Sequence, residues 1–220
     1  PEDWVDKLFV YCIVSTVIGA RLGHCLFYEW DYYSVHPAEI LKIWKGGLAS
    51  HGGVFAIILA LVWYSKKVTK KSVWWLFDRM IPAVAVVCFC IRFGNLMNSE
   101  IYGYPTTLPW GFEFVRSREW HQLYEGLPCH PTQIYEMLYC LVAGVTAWVM
   151  YHKYHLQNRV GLITGVSLLI FFGSRFALEF MKNPQVVEET NMTLNIGQWL
   201  SVPLILLGGY LIYKSKTAKV

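Results

Sequence analysis

The chain has 220 residues, 55% of them hydrophobic and 15% charged, and its formal net charge is +4. A soluble domain carries about 25% charged residues, so this composition excludes an ordinary water-soluble globule and points to a membrane solvent. The net charge is too small to argue for nucleic-acid binding; the placement of the charges carries the information.

The sequence opens on Pro1-Glu2-Asp3-Trp4, with neither an initiator Met nor a basic leader, and reads as a chain lacking an N-terminal piece. Roughly 20 apolar residues are needed to cross a hydrocarbon core of about 30 Å. Six stretches qualify, at about 8–28, 51–66, 79–97, 134–152, 160–181 and 196–213. Runs of this length satisfy their backbone internally only as helices. The expected fold is therefore all-α: a polytopic membrane helix bundle forming a single transmembrane domain over 1–220, with 98–133 as its largest outer loop.

The first stretch carries Arg21. The second is short and starts at Ser50-His51-Gly52-Gly53, so it is expected to tilt or to be flanked by a re-entrant loop, with the glycines leaving open backbone around His51. The third contains Cys88, Cys90 and Arg92. Cys88 and Cys90 are two apart and face different ways on a helix, which argues against a metal pair. The fourth follows His130-Pro131-Thr132-Gln133, a helix start with Pro early in it. Gln133 and Glu136 are expected there as supporting partners of a site. The fifth carries Arg175, with Glu179 one turn on, and the sixth ends among lysines. Of the six cysteines, only Cys129 falls in a polar loop, so no disulfide framework is expected.

Orientation follows from Lys and Arg in the loops. Lys7, Lys66, Lys67, Lys70, Lys71, Arg79, Lys153, Arg159, Lys214, Lys216 and Lys219 fall on one side. Lys42, Lys45, Arg116, Arg118 and Lys182 fall on the other, which is eleven against five. The first set is expected in the cytoplasm, with loops 29–50, 98–133 and 182–195 outside. Trp44, Trp63, Trp110 and Trp199 lie near span ends, as interfacial anchors do.

The remaining basic residues, Arg21, Arg92 and Arg175, sit inside spans. An arginine at a span centre costs about 2.5–3.5 kcal/mol on insertion scales, so each needs a partner or a function. The bland alternative is that each snorkels or pairs with a nearby acid such as Glu179. Arg92 and Arg175 lie roughly 20 Å above the inner ends of their spans at 1.5 Å per residue, and Arg21 and His51 reach a similar depth. Three cations and an imidazole in one leaflet describe an anion site. The stretch from Arg92 to Gly103 adds Asn95, three residues on and on the same helix face, with Glu100 and glycines at 94 and 103 that permit close backbone approach.

These residues resemble the prolipoprotein diacylglyceryl transferase family in order and spacing. The match runs through Gly19-Ala20-Arg21-Leu22-Gly23, His51-Gly52-Gly53, Arg92 to Gly103, His130-Pro131-Thr132-Gln133-Ile134-Tyr135-Glu136 and Arg175-Phe176-Ala177-Leu178-Glu179-Phe180. It covers nearly the whole chain, and the stretch Arg-x-Gly-Asn-x-x-Asn-x-Glu-x-x-Gly is its most specific part. The resemblance implies a bacterial inner-membrane enzyme of seven spans, multi-pass, with its site towards the periplasm. It would move diacylglycerol from phosphatidylglycerol to the lipobox cysteine of a prolipoprotein, forming a thioether and releasing glycerol phosphate. The family's essential arginines match Arg92 and Arg175, its HGG histidine His51, its signature Asn, Glu and Gly match Asn95, Glu100 and Gly103, and its late acid Glu179. This chain departs in lacking the family's first span, in Ile91 where the family has Gly, and in Phe171 where it often has Tyr.

Sulfur displacing a phosphate ester needs a thiolate and charge stabilisation at the departing phosphate. Arg92 and Arg175 are expected to clamp the phosphate through planar, always-charged forks, with Arg21 supporting. His51 is the expected base, its ordinary pKa lying near neutrality. No cofactor or metal is called for, and the expected partners are phosphatidylglycerol, the prolipoprotein lipobox and membrane lipids, with no nucleic acid. The alternatives are an anion or lipid transporter, which predicts polar residues through the inner leaflet and repeated halves, and an intramembrane protease using Ser167 or Ser174, which lacks a Gly-x-Ser-x-Gly elbow.

Overall fold

Six helices of the computed structural model are long and apolar enough to cross a membrane, ending at or close to the bounds expected from hydropathy. Residues 2–183 and 193–217 are described; Lys219 and positions 184–192 of the third outer loop lie outside them. The chain divides into two units, Pro1–Leu76 and Phe77–Val220, each built around its own helix contacts.

In the first unit, α1 (Glu2–Phe27) opens with Glu2 and Asp3, acids that complement the positive end of the helix dipole. A short helix, α2 (Trp30–Val35), and two 3₁₀ turns, Pro37–Leu41 and Ile43–Lys45, lead to α3 (Ser50–Tyr64). A π turn over Ser65–Thr69 prolongs α3, so the span reaches 20 residues and is no longer short. Lipid tails supply no hydrophobic drive between helices, so helices associate through close packing of small residues. Here Gly19 and Gly23 of α1 meet Gly52 of α3: a Cβ on Gly19 would stand 2.6 Å from Gly52 O, and one on Gly52 would stand 2.8 Å from Gly23 Cα. The backbone after His51 is thus closed against α1, not open as its glycines suggested. Tyr64 Oη donates to Trp4 O at 2.6 Å and ties the other end of the pair.

The second unit carries α4 (Val73–Met97), α5 (Arg118–Tyr124), α6 (Thr132–His152), α7 (Leu162–Leu178) with a 3₁₀ turn over Glu179–Met181, and α8 (Ile196–Thr217). Within α4, Asp78 is 1% exposed. Its carboxylate accepts from Gly161 N at 2.7 Å, Thr164 N at 2.8 Å and Thr164 Oγ1 at 2.6 Å. It serves as the N-cap that α7 lacks in its own sequence, where Gly161 precedes the helix. Ile81, Ala147 and Ile163 form the apolar core beside it.

Between α4 and α6 the chain folds into a small layer outside the spans. Tyr102, Phe114, Trp120 and Cys129 pack together there with Leu96 and Tyr124. Ser117 accepts from Trp120 N at 3.2 Å and caps α5. Cys129, which the sequence places in a polar loop, is fully buried in this aromatic cluster. All six cysteines are free thiols. The four tryptophans expected at span ends, Trp44, Trp63, Trp110 and Trp199, are exposed.

Candidate active site

Arg92 leaves the last turns of α4 with one local partner and one distant one. Its Nη1 donates to Asn95 Oδ1 at 3.3 Å, the i, i+3 contact expected from spacing, and Asn95 Nδ2 donates to Glu100 Oε2 at 3.1 Å. Its Nε lies 2.7 Å from Glu136 Oε2 of α6, close enough for an ion pair but off the line of a hydrogen bond. The other oxygen, Glu136 Oε1, accepts from Lys182 Nζ at 2.8 Å and from Tyr139 Oη at 3.3 Å. Lys182 Nζ lies 3.4 Å from Glu179 Oε2. The charges therefore alternate along a chain from Arg92 through Glu136 and Lys182 to Glu179.

Burial makes that alternation necessary. Glu136 is inaccessible, Lys182 4% exposed and Glu179 7% exposed, and an ion removed from water costs several kcal/mol unless partners replace its hydration. Glu136, foreseen only as a supporting partner, is the hub of the network. Lys182, counted in the sequence as an outer-loop charge, is its buried bridge.

The loop after α4 is held in an unfavourable conformation. Ser99 and Ile101 have φ of 58° and 60°, and a β-branched residue in the left-handed region is strained. Fully buried Thr132 and Gln133 fasten it: Thr132 Oγ1 donates to Ile101 O at 2.8 Å, and Gln133 Nε2 to Glu100 O at 2.6 Å. Gly103 follows, where a Cβ would stand 2.9 Å from His130 Cβ and collide with Met181 O. Only hydrogen fits there, which lets the turn bearing Glu179 and Lys182 lie against the loop. Gly94, by contrast, is helical with open space around it, and nothing in the structure requires glycine at that position.

Arg175 of α7 shares with Arg92 a cavity of about 260 Å³, lined also by Cys88, Tyr139, Cys140 and Phe171. Glu179, its expected partner one turn on, pairs with Lys182 instead. Among the described residues no hydrogen bond or ion pair engages the Arg175 guanidinium, and the residue lines the cavity. Phe171 stands edge-on to Tyr139, with ring centroids 6.1 Å apart, so the hydroxyl on this wall comes from Tyr139 of α6.

In the first unit Arg21 is 3% exposed and its donors are all occupied. Nε donates to Ile40 O at 2.8 Å, Nη1 to Gly46 O and Gly47 O at 2.6 and 3.1 Å, and Nη2 to Glu39 O and Lys42 O at 2.7 and 3.4 Å. A guanidinium has five N–H groups, and all five go to the backbone of 39–47. The Tyr33 ring covers it at 5.0 Å. This geometry leaves Arg21 no donor for a phosphate and makes it the organiser of its loop. His51 is exposed in the first turn of α3, on an apolar groove with Gly23, Leu26, Phe27 and Tyr28. Of the expected site residues, Arg92, Asn95, Glu100, Gly103 and Glu179 are joined by contacts in the second unit, and Arg175 faces the same cavity as Arg92. Arg21 and His51 belong to the first.

Fold and site define a multi-pass membrane protein with two arginines lining one small cavity between its helices, one braced by a buried ion network and one without a hydrogen bond or ion pair among the described residues. The family model for prolipoprotein diacylglyceryl transferase matches residues 1–214. Three curated relatives, each named phosphatidylglycerol–prolipoprotein diacylglyceryl transferase, align over most of their length. That of Porphyromonas gingivalis is 47% identical over 97% of this chain and 78% of its own. That of Chloroherpeton thalassium is 45% identical over 98% and 78%, and that of Tolumonas auensis 40% identical over 100% and 82%. The chain belongs to the prolipoprotein diacylglyceryl transferase family, and is a transferase.

Proposed function

We propose that the chain transfers the diacylglyceryl group of phosphatidylglycerol to the lipobox cysteine of a prolipoprotein, at the bacterial inner membrane and from its periplasmic side. The lysine and arginine asymmetry of the loops supports the orientation. Arg175, which lines the same cavity as Arg92 and has no hydrogen bond or ion pair among the described residues, carries the reading of the site.

The lipid phosphate is a diester with one negative charge. The acceptor thiolate attacks the glyceryl carbon, the carbon–oxygen bond to phosphate breaks, and the carbon–sulfur bond of a thioether forms. Glycerol phosphate leaves with a second negative charge, or with the proton given up by the thiol. Arg175 can meet that growing charge with a bidentate fork, and Arg92, held by Glu136 and Asn95, lines the same cavity for the same phosphate. A single preorganised donor of this kind lowers a barrier by about 2.7–4 kcal/mol. Glu100, Gly103 and Glu179 bind substrate indirectly, by shaping the loop and ion network behind Arg92. Arg21 orders the 39–47 loop. His51 is the base candidate, exposed in the first turn of α3; cations near the thiol raise its thiolate fraction independently.

The test is to incubate the protein with phosphatidylglycerol and a lipobox peptide and weigh the peptide. The expected gain is one diacylglyceryl group, absent with Arg92→Ala or Arg175→Ala although both variants accumulate in the membrane. Full transfer by either variant sinks the clamp; turnover that survives His51→Gln removes the base assignment alone.

A further inference from the structure

Tyr139 of α6 belongs both to the buried ion network and to the arginine cavity. It follows Glu136 by three residues on the same helix face, and its Oη donates to Glu136 Oε1 at 3.3 Å. Arg92 approaches the other oxygen of that carboxylate, with Nε 2.7 Å from Glu136 Oε2. The Tyr139 ring is half-buried and stands edge-on to Phe171 of α7, which precedes Arg175 by one turn on the same helix face. Tyr139 is thereby tied to both arginines: its hydroxyl shares a carboxylate with Arg92, and its ring packs on the neighbour of Arg175. All four of Arg92, Tyr139, Phe171 and Arg175 line the cavity, and among the described residues lining it Tyr139 alone bears a hydroxyl.

We propose that the Tyr139 hydroxyl is a third donor to the lipid phosphate, beside Arg92 and Arg175; this rests on the phosphate clamp proposed above. The hydroxyl is loosely committed where it stands. An O–H···O bond ordinarily spans about 2.5–3.0 Å, so the bond to Glu136 at 3.3 Å is long. Glu136 Oε1 also accepts from Lys182 Nζ at 2.8 Å, so it keeps a charged partner when the hydroxyl leaves. A hydroxyl proton rotates to suit its acceptor, and the ring can hold its place against Phe171 while it does so. An anion in the cavity thus offers the Tyr139 proton a second acceptor. No covalent bond changes: Tyr139 keeps its proton, and the hydrogen bond passes from the carboxylate to a phosphate oxygen.

A neutral donor suits this position. The phosphate gains charge as glycerol phosphate departs, and a hydrogen bond to a charged oxygen is stronger than one between neutral groups. The hydroxyl supplies that bond without placing a further cation beside Arg92, Lys182 and Arg175, where burial makes each added charge costly.

The experiment measures transfer to a lipobox peptide by the protein in nanodiscs of phosphatidylglycerol and phosphatidylcholine, together with a thermal melt of each variant. Tyr139→Phe is expected to lower the transfer rate by about tenfold to a hundredfold, the worth of a hydrogen bond to a charged group, with the melt unchanged. Tyr139→Phe/Phe171→Tyr moves the hydroxyl to a neighbouring residue of the same cavity and is expected to regain most of the loss. That rescue separates a donor to the phosphate from a brace on Glu136, because Glu136 keeps Arg92 and Lys182 in both variants. Full transfer by Tyr139→Phe overturns the proposal. So does a melt that falls with the rate, or a loss that the double variant fails to regain; either assigns Tyr139 to packing or to bracing. Full transfer by Tyr139→Phe beside its loss in Arg92→Ala and Arg175→Ala removes the hydroxyl and leaves the clamp standing. No transfer by wild type in the same preparation overturns the proposed reaction, and the role of Tyr139 with it.

Discussion

Two arginines set within spans, Arg21 buried and Arg175 half-buried, meet opposite fates in the two units. Arg21 gives every N–H to the carbonyls of 39–47, whereas Arg175 gives none to any described residue and faces a cavity. The insertion cost is similar for both, so depth in the membrane does not distinguish a structural arginine from a ligand-binding one. What distinguishes them, among the described residues, is whether backbone carbonyls saturate the fork. The first outer loop contains Gly46 and Gly47, with φ of 86° and 73°, a turn that points successive carbonyls inward at Arg21. Among the described residues no such turn engages Arg175, and Glu179, the acid one turn on, is held by Lys182.

The contrast is sharpest in the loss of transfer. Arg175→Ala is expected to lower lipidation by at least about a hundredfold to a thousandfold, the cost of removing a donor to a developing oxyanion, with the melting temperature unchanged. Arg175→Lys keeps the charge but loses the bidentate fork and recovers only part of the rate. Arg21→Ala is expected to behave in the reverse way. It leaves several carbonyls without donors, each costing about 1–3 kcal/mol where water cannot replace it. Protein abundance and resistance of 36–47 to protease should fall, while turnover per folded molecule changes little. Equal losses of turnover in both variants would erase the distinction.

Glu136→Ala probes the brace behind Arg92. It strands Arg92 and Lys182 without their shared carboxylate and is expected to destabilise by about 3–5 kcal/mol. Glu136→Met with Lys182→Met is expected to recover much of that stability in a thermal melt, though not activity, because Arg92 loses its anchor. Asp78→Asn, which keeps the shape but weakens the cap of α7, is expected to cost about 1–2 kcal/mol. The smallest effect is acidification of the first loop. Hydrogen bonds from Lys42 and Lys45 hold the Glu39 carboxyl down at about 2, against its usual 4.5. A depressed folded value means the contribution is complete above 4.5 and is lost only as pH falls through about 2. Protease resistance of 36–47 should therefore be the same at pH 5 as at pH 7.

The parts legible in the sequence were those set by local spacing. Long apolar runs marked the spans, and the three-residue interval from Arg92 to Asn95 marked a contact the structure contains. Glu136 and Lys182 were hidden because their pairing joins positions 46 residues apart, where no periodicity operates. Lys182 was misleading in a second way: a lysine just past a helix end counts as a topological charge, and nothing local says that it turns back inside. An acid in the first turns of an apolar span, as Glu136 is, was the one available signal. Gly52 failed for another reason, because a glycine chosen for close approach reads the same as one chosen for openness.

The Asp78 cap has a reach beyond the turn it touches. A helix advances about 100° per residue, so the eleven residues from Thr164 to Arg175 return to within about 20° of the same bearing, and the fourteen from Asp78 to Arg92 to within about 40°. The peg at one end of α4 and α7 thereby keys the azimuth of both arginines some three to four turns away. A slip of one residue at that peg would swing either guanidinium through more than a quarter turn, out of the cavity and towards lipid. Aim, in this pair of helices, is set from the far end.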